Sequence, residues 1–281
     1  MIFIRRKWAQ KPRQWGPPSA VRAAVRDWFE RRGIACPTIY TALQEQSGTS
    51  VVNYGSGGLL TAVNPTWTGD GINCRTADGR IEIADHADID GLWTGAAGTL
   101  FFVGDFPSSY SYYYPFSFGW TSMRIGLRFV PPSHDGLFAT GAAANATFDS
   151  GDFSGASAMA FVADAYTPYL YRDGGEAVSW ESNSIDTAAE WPGGTYSSTD
   201  ARFLLSRHDT DYQWPEARMI CIIPQALAAD QIAALYADPY GAIQPRSFPL
   251  YFFGKSVSTG FVPAWAANAT VTIPPIGAGH V

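Results

Sequence analysis

Cysteine is scarce in this chain and badly placed for structural chemistry. Cys36, Cys74 and Cys221 are odd in number and widely spaced with no CxxC pair, which argues against a disulfide framework and against a thiolate metal site. That usage fits synthesis in a reducing cytosol. Long apolar runs are also missing: no window reaches roughly 18 uninterrupted apolar residues, so no membrane span is expected. The start of the chain lacks the apolar core of a secretory signal, which disfavours Sec export and leaves release by lysis as one route out of a cell. Histidine is limited to His86, His134, His208 and His280, and no GxSxG elbow accompanies them, so a serine triad finds no support. The GSGG at 55–58 lacks the Lys and Ser/Thr of a phosphate loop and reads as a turn.

Charge is thin as well, at 16% of 281 residues, while Gly and Pro together number 47. That balance favours many turns between short strands over long helices. Apolar residues at 46% and aromatics at 15% suffice for a sizeable core, in one large β domain or two small ones. The net charge of −6 conceals an asymmetry: residues 1–32 carry a balance of +7, and the remaining residues −13. A basic arm of this kind suits an acidic protein face. A simple solvated terminus is the alternative. A specific nucleic-acid partner is not expected, because no basic stripe recurs in the body of the chain.

Three zones follow from the pattern. Residues 1–36 form a basic attachment arm, in which RRKWAQKPRQWGPP, with Arg5, Arg6, Lys7, Trp8 and Trp15, is too polar and Pro-rich for a packed element. The arm ends in a helix: Ser19 offers an N-cap, Val21, Val25, Trp28 and Phe29 share one face, and Gly33 supplies a stop. That face can fold onto its own domain or dock to a partner. Residues 37–240 carry the β signal in GRIEIADHADI, GTLFFVGDF, SMRIGLRFV, SAMAFVADA, PYLYRDGGEAVSW, ARFLLSRH and ARMICII. Asp173-Gly174 suits a tight hairpin turn. Many short strands without intervening helices point to a two-sheet sandwich or jelly roll. Near the end, Ile232, Leu235 and Tyr236 share one face of a helix of about ten residues, with Asp230 at its start and Pro239 barring continuation. So short a helix must be docked, and the end of the sandwich is the expected surface. Residues 241–281, with FPLYFFG and three prolines after it, read as an extended apolar tail lying across another surface.

The run RFLLSRHDTDYQWPEARMICIIPQALAADQIAALYADPY resembles the closing segment of concanavalin A-like, laminin-G-like jelly rolls, where a strand and a short excursion lead to a last strand and then to a raLsaeEiaaLYanP helix. WTGDGINCRTADGRIEIAD is similar to the family's FdG…yvelp strand pair, and YLYRDGG to its lyvDG hairpin; together the resemblance spans about residues 38–240. RRKWAQKPRQWGPP and DPYGAIQPRSFPLYFFG are similar to flanking segments of laminin-G-like proteins of tailed bacteriophages. The resemblance implies an all-β, two-sheet antiparallel jelly-roll sandwich with a short closing helix and extended terminal arms. It also implies a virion structural protein, of head or tail decoration or fibre type, made in the bacterial host cytoplasm. The expected partners are other virion proteins, capsid or tail subunits, with further copies of this chain in a homo-oligomer.

An enzymatic role is not expected. The acid pair of a glycoside hydrolase needs an ExDxxE-like strand, and IEIADHADID instead alternates Ile81 and Ile83 inward, with its aspartates in a following turn. No cofactor is required. Calcium is the one candidate ion, through Asp149 and Asp152 or Asp209 and Asp211, although neither pair belongs to an EF-hand loop. The aromatic stretch SSYSYYYPFSFGW contains Tyr110, Tyr112, Tyr114 and Trp120, which can stack on a host-surface glycan, anchor a neighbouring subunit or fill the core; strand alternation would send half of the stretch outward. A free carbohydrate-binding module and a polysaccharide-cleaving enzyme are the alternative functions.

Overall fold

The computed structural model describes residues 18–43, 47–68, 70–73, 80–84, 86–106, 113–118, 125–130, 135–139, 145–149, 155–180, 182–183, 203–205 and 216–243. All belong to the first of two units into which the chain divides, Met1–Pro245 and Arg246–Val281. Helix α1 (Pro18–Glu30) leads to strands β1 (Ile39–Thr41), β2 (Ser50–Val51), β3 (Leu60–Val63), β4 (Thr66–Trp67), β5 (Ile72–Asn73) and β6 (Arg80–Ile83). Helix α2 (Ala87–Thr94) then precedes β7 (Ala97–Gly104), β8 (Tyr113–Phe118), β9 (Ile125–Val130), β10 (Asp135–Ala139) and β11 (Asn145–Asp149). Strands β12 (Ala158–Asp164), β13 (Thr167–Arg172), β14 (Ser182–Asn183), β15 (Phe203–Leu205) and β16 (Ala217–Ile223) follow, and helix α3 (Ala229–Ala237) comes last.

The protein is mostly β, with two antiparallel sheets forming a sandwich. One sheet has the order β13-β12-β7-β16-β5-β4, with β1 also paired to β16; the other runs β14-β11-β10-β9-β8-β15-β6-β3-β2. Alternation along the first sheet divides its side chains between two cores. Leu100 and Phe102, Met159 and Phe161, Leu170, and Ile220 and Ile222 meet Leu60, Ala62, Ile81 and Ile83 of the second sheet. The intervening Phe101, Val103, Ala160, Val162, Met219, Cys221 and Ile223 meet Val25, Trp28 and Phe29 of α1 with Ile232 and Leu235 of α3. The layers are therefore helices, an inner sheet and an outer sheet. A strand buried on both faces needs apolar residues at every position, which is why β7 reads as a continuous run rather than an alternating one.

Both helices depart from expectation in informative ways. The helix α1 begins at Pro18, so Ser19 lies inside its first turn rather than capping it; Pro at the first helical position sacrifices an N–H that has no partner there anyway. At the other end Gly33 takes φ +66°, and the Ile34 amide donates to Phe29 O at 3.1 Å, the backbone pattern of a Schellman stop. Its apolar face is buried on its own domain. Ring contacts run from Trp28 to Phe29 (4.9 Å) and from Phe29 to Tyr40 (5.6 Å), both edge-on. Helix α3 docks beside it on the face of the inner sheet, not on the end of the sandwich, because Ile232 and Leu235 complete the same core. The Tyr40 hydroxyl donates to Pro239 O at 2.6 Å and ties that core to the turn beyond α3.

The IEIADHADID segment holds a second correction. Asp88 and Asp90 lie in helix α2, where His86 is the N-cap and its Nδ1 accepts from the Asp88 amide at 3.2 Å. A helix fits here because acidic side chains favour the positive end of the helix dipole. Gly91 lets α2 approach the sheet, since a Cβ at that position would collide with the Ala97 carbonyl. Between β13 and the segment after it, Asp173 and Gly174 both take positive φ, and the Gly175 amide donates to Arg172 O at 2.9 Å, giving the expected tight turn.

Candidate binding surface

The outer sheet presents one face to the core and one away from it. Partners across an antiparallel pair share a face, so register alone assigns the rows. One row runs Val51–Leu60–Ile83–Phe203–Phe118–Ile125, and its members Val51, Leu60 and Ile83 are buried in the core. The adjacent row, Ser50–Thr61–Glu82–Leu204–Ser117–Gly126–Ala139–Asn145, therefore belongs to the far face. It crosses eight of the nine strands and consists mainly of small or polar residues. Ser50 and Thr61 are exposed, as are Ala84 and Leu59, which continue the same face of β6 and β3; Leu59 reaches 80% exposure. A second far-face row is Arg128–Leu137–Thr147–Ser182, and a third is Val130–Asp135–Asp149.

Strand β8 places the aromatic stretch. Tyr113 pairs with Phe129 and Phe116 with Leu127, so Tyr114 and Pro115 stand together against the single residue Arg128. This is a β-bulge, and a proline without an N–H is readily accommodated in one. Tyr113, Phe116 and Phe118 are register partners of Phe129, Leu127 and Ile125, and Tyr114 lies within the bulge between the first two pairs. Tyr110, Tyr112 and Trp120 lie outside the described residues. So do Arg5, Arg6, Lys7, Trp8 and Trp15 of the arm, and the tail beyond Ile243. Of the calcium candidates, Asp149 ends β11 directly opposite Asp135, and Asp152, Asp209 and Asp211 lie outside the described residues. Among the described residues, no group of three or more metal-ligating side chains comes together.

A polar hub that sequence reasoning missed supports one rim of this face. Asn53, 5% exposed, accepts from the amides of Tyr40 (3.0 Å) and Gly55 (2.8 Å) through Oδ1 and donates through Nδ2 to the carbonyls of Thr38 (3.0 Å), Gly57 and Gly58 (3.3 Å). Its own carbonyl accepts from Arg22 Nε (3.3 Å) and Nη2 (3.2 Å), so the loop before β3 is fastened to α1. The GSGG turn is thus the wall of a side-chain-centred knot. Asn53 occurs in VVNYGSGG, where an Asn before glycines signals a turn but not which amides it will bind.

Elsewhere the ionisable groups hold structure. Arg218 bonds Glu216 Oε1 through Nε (2.7 Å) and Asp105 Oδ1 through Nη2 (2.8 Å); burial alone would lower its pKa, yet these carboxylates hold it above the ordinary arginine value. Burial raises the pKa of the Cys221 thiol well above normal, with Cys36 adding to the effect, and so keeps the thiol protonated. Burial likewise raises Tyr40 and Tyr240. The pKa of the Asp238 carboxyl rises through burial, partly offset by Arg32. Such groups fasten elements together. On the far face of the outer sheet, by contrast, the described side chains of Ser50, Leu59, Thr61 and Ala84 stand exposed.

Solved structures match this chain in fold. The Trypanosoma rangeli sialidase in complex with the inhibitor DANA aligns with a TM-score of 0.57 at 10% identity, over 81% of this chain and 38% of that one. The binding domain of botulinum neurotoxin serotype D/C VPI 5993 aligns with a TM-score of 0.52 at 11% identity, over 72% of this chain and 52% of that one. The chain thus spans well under half of the sialidase and about half of the toxin domain. The likeness is one of fold alone. No protein-family model matches the chain, and no curated protein sequence matches it.

Proposed function

We propose that this chain is a non-enzymatic structural module of a tailed-phage particle. In this reading it is a laminin-G-like jelly roll that contacts a host-surface glycan through the far face of its outer sheet. The observation that carries the reading is the asymmetry of the sandwich. The chain's own helices bury one face of the inner sheet, while described residues on the far face of the outer sheet, Ser50, Leu59, Thr61 and Ala84, stand exposed. The hydroxyls of Ser50 and Thr61 and the small Ala84, all exposed on that face, suit a flat ligand with many hydroxyls. The solved neighbours, a sialidase carrying an inhibitor and a toxin binding domain, support a binding role by analogy of fold alone. The particle context rests on the resemblance of both flanks to phage proteins.

The test uses the labelled full chain on host cells. Thr61→Arg and Ser117→Arg, both in the far-face row, should lower cell binding at least about tenfold, as unpaired bulk in a contact does. Ala23→Arg on the exposed side of α1 should leave binding intact. Equal binding by all three would remove the outer sheet from the reading. Release of reducing ends from host polysaccharide would overturn its non-enzymatic part.

A further inference from the structure

We infer that the glycan met by the outer sheet is a neutral, acyl-bearing sugar, with Leu59 as the contact for its acyl methyl group. The inference rests on the outer-sheet reading above and adds the ligand's class to it. Leu59 is 80% exposed, and the only other large apolar side chain exposed among the described residues is Tyr169, at 37%. Its backbone is fixed on both sides. Before it, Gly58 holds φ +57° and its carbonyl accepts from Asn53 Nδ2 at 3.3 Å. Gly57 is wedged so closely that an added Cβ would lie 2.7 Å from both the His86 ring and Thr38 Cγ2. After it, Leu60 enters the β3 ladder opposite Ile83, and Leu59 O accepts from the Ala84 amide at 3.0 Å. A leucine held out to solvent on an already ordered backbone can meet a ligand at small entropic cost.

The neighbours of Leu59 define what it can meet. Thr61 stands two residues along the strand on the same face, about 7 Å away, and directly opposite Ser50. Both of these residues are exposed, so the corner sets two hydroxyls beside an apolar contact formed by Leu59 and the small Ala84. A hexopyranose with an acylamino or acyloxy substituent has the same layout, hydroxyls on the ring and a methyl group a few bonds beyond it. A plain hexose has no methyl to place on Leu59. Charge sets the rest. Ser50, Leu59, Thr61 and Ala84 carry none, and β6 contributes Arg80 and Glu82, one of each sign. Beyond residue 32 the chain carries a balance of −13. A carboxylated or phosphorylated sugar would approach against that field, whereas a neutral one is indifferent to it.

The test is saturation-transfer difference NMR on the full chain, with affinities from isothermal titration. The probes are oligosaccharides of N-acetylglucosamine, N-acetylgalactosamine and N-acetylmannosamine, each beside its counterpart of glucose, galactose or mannose, and an N-acetylneuraminic acid oligomer as the acidic acyl sugar. At least one neutral acetylated probe should bind about fourfold or more tighter than its counterpart, the worth of burying one methyl group. Its acetyl methyl should receive the strongest transfer. Leu59→Ser should erase that preference and Leu59→Met retain it; the side chain is exposed, so either variant keeps the fold. Thr61→Arg should weaken every probe that binds. Equal affinity for acetylated and plain sugars, or a preference that survives Leu59→Ser, would overturn this inference, while a loss on Thr61→Arg would leave the outer-sheet reading standing. Tighter binding of the acidic oligomer would overturn the neutral class. Binding that ignores Thr61→Arg would sink both. If no probe binds, this inference falls, and the cell-binding assay above decides the reading by itself.

Discussion

Replacing Asn53 tests whether one buried amide holds the loop, β1 and α1 together. In Asn53→Ala the amides of Tyr40 and Gly55 lose their acceptor in a site closed to water, because both residues are buried. Thr38 O keeps the Gly57 amide at 3.0 Å, so the donors are the groups left stranded. Each of the two stranded buried donors costs about 1–3 kcal/mol, which places the total at about 2–6 kcal/mol. Against a domain stability of about 5–15 kcal/mol, that is a large fraction. Urea unfolding followed by tryptophan fluorescence should show a lower midpoint with an unchanged slope. Asn53→Asp keeps the acceptor but sets a carboxylate against the carbonyls of Thr38, Gly57 and Gly58. The folded-state pKa of that carboxyl would rise above about 3.9, so the folded state would gain stability as pH falls and lose it as pH rises through the raised value. The aspartate variant should therefore be less damaged at pH 5 than at pH 7. A loss below about 1 kcal/mol for Asn53→Ala would refute the reasoning, since it would mean water or a rearranged backbone satisfies those amides.

Phe29→Ala should cost about 3–5 kcal/mol, because the ring is fully buried between α1 and Tyr40, and limited proteolysis should then cut near residue 30. Tyr40→Phe strands the Pro239 carbonyl and should cost about 1–3 kcal/mol by the same urea assay. Burial raises the pKa of both Tyr40 and Tyr240, so their contribution to stability is complete below the unfolded tyrosine value of about 10 and is lost as pH climbs toward the raised values. Absorbance at 295 nm should accordingly report their ionisation only together with the loss of circular dichroism, and ionisation in the folded protein would contradict the burial argument. Cys221 should resist alkylation until the chain unfolds, as read by peptide mass mapping; modification under native conditions would show that the second core opens.

The sequence was most legible where strands are long and non-polar. The runs now seen as β6, β7, β9, β12, β13, β15 and β16 announce themselves because burial demands apolar side chains. Strands β2, β4 and β5 have two residues each, too few for any period, and their pairing depends on partners distant in the chain. Helix α2 was concealed by Gly91, a residue that normally weakens a helix and here admits the sheet. The β12–β13 hairpin turns through Ala165 and Tyr166, both at positive φ and neither a turn-forming residue; their amides donate to Ala96 O (3.1 Å) and Gly95 O (2.7 Å), contacts that only the folded chain supplies. Tyr114 stood out as an aromatic, but its separation from Tyr113 and Phe116 required the register of β8 on β9. Arg128 and the Ser50–Asn145 row carried no local signal, because a row across strands draws one residue from each of many distant segments.

The outermost strands carry a consequence for crowding. The outer sheet ends on one side in β2 and the inner sheet on one side in β4; each of these strands has two residues. On the opposite side, β13 meets its own following segment through the Tyr171–Ala177 bridge, the Val178 amide on Leu170 O (2.7 Å) and Trp180 Nε1 on Pro168 O (2.8 Å). Stubby or self-sealed margins offer little unpaired backbone for another chain to zip onto. At these margins a neighbouring chain finds few free strand edges to extend, however crowded the solution.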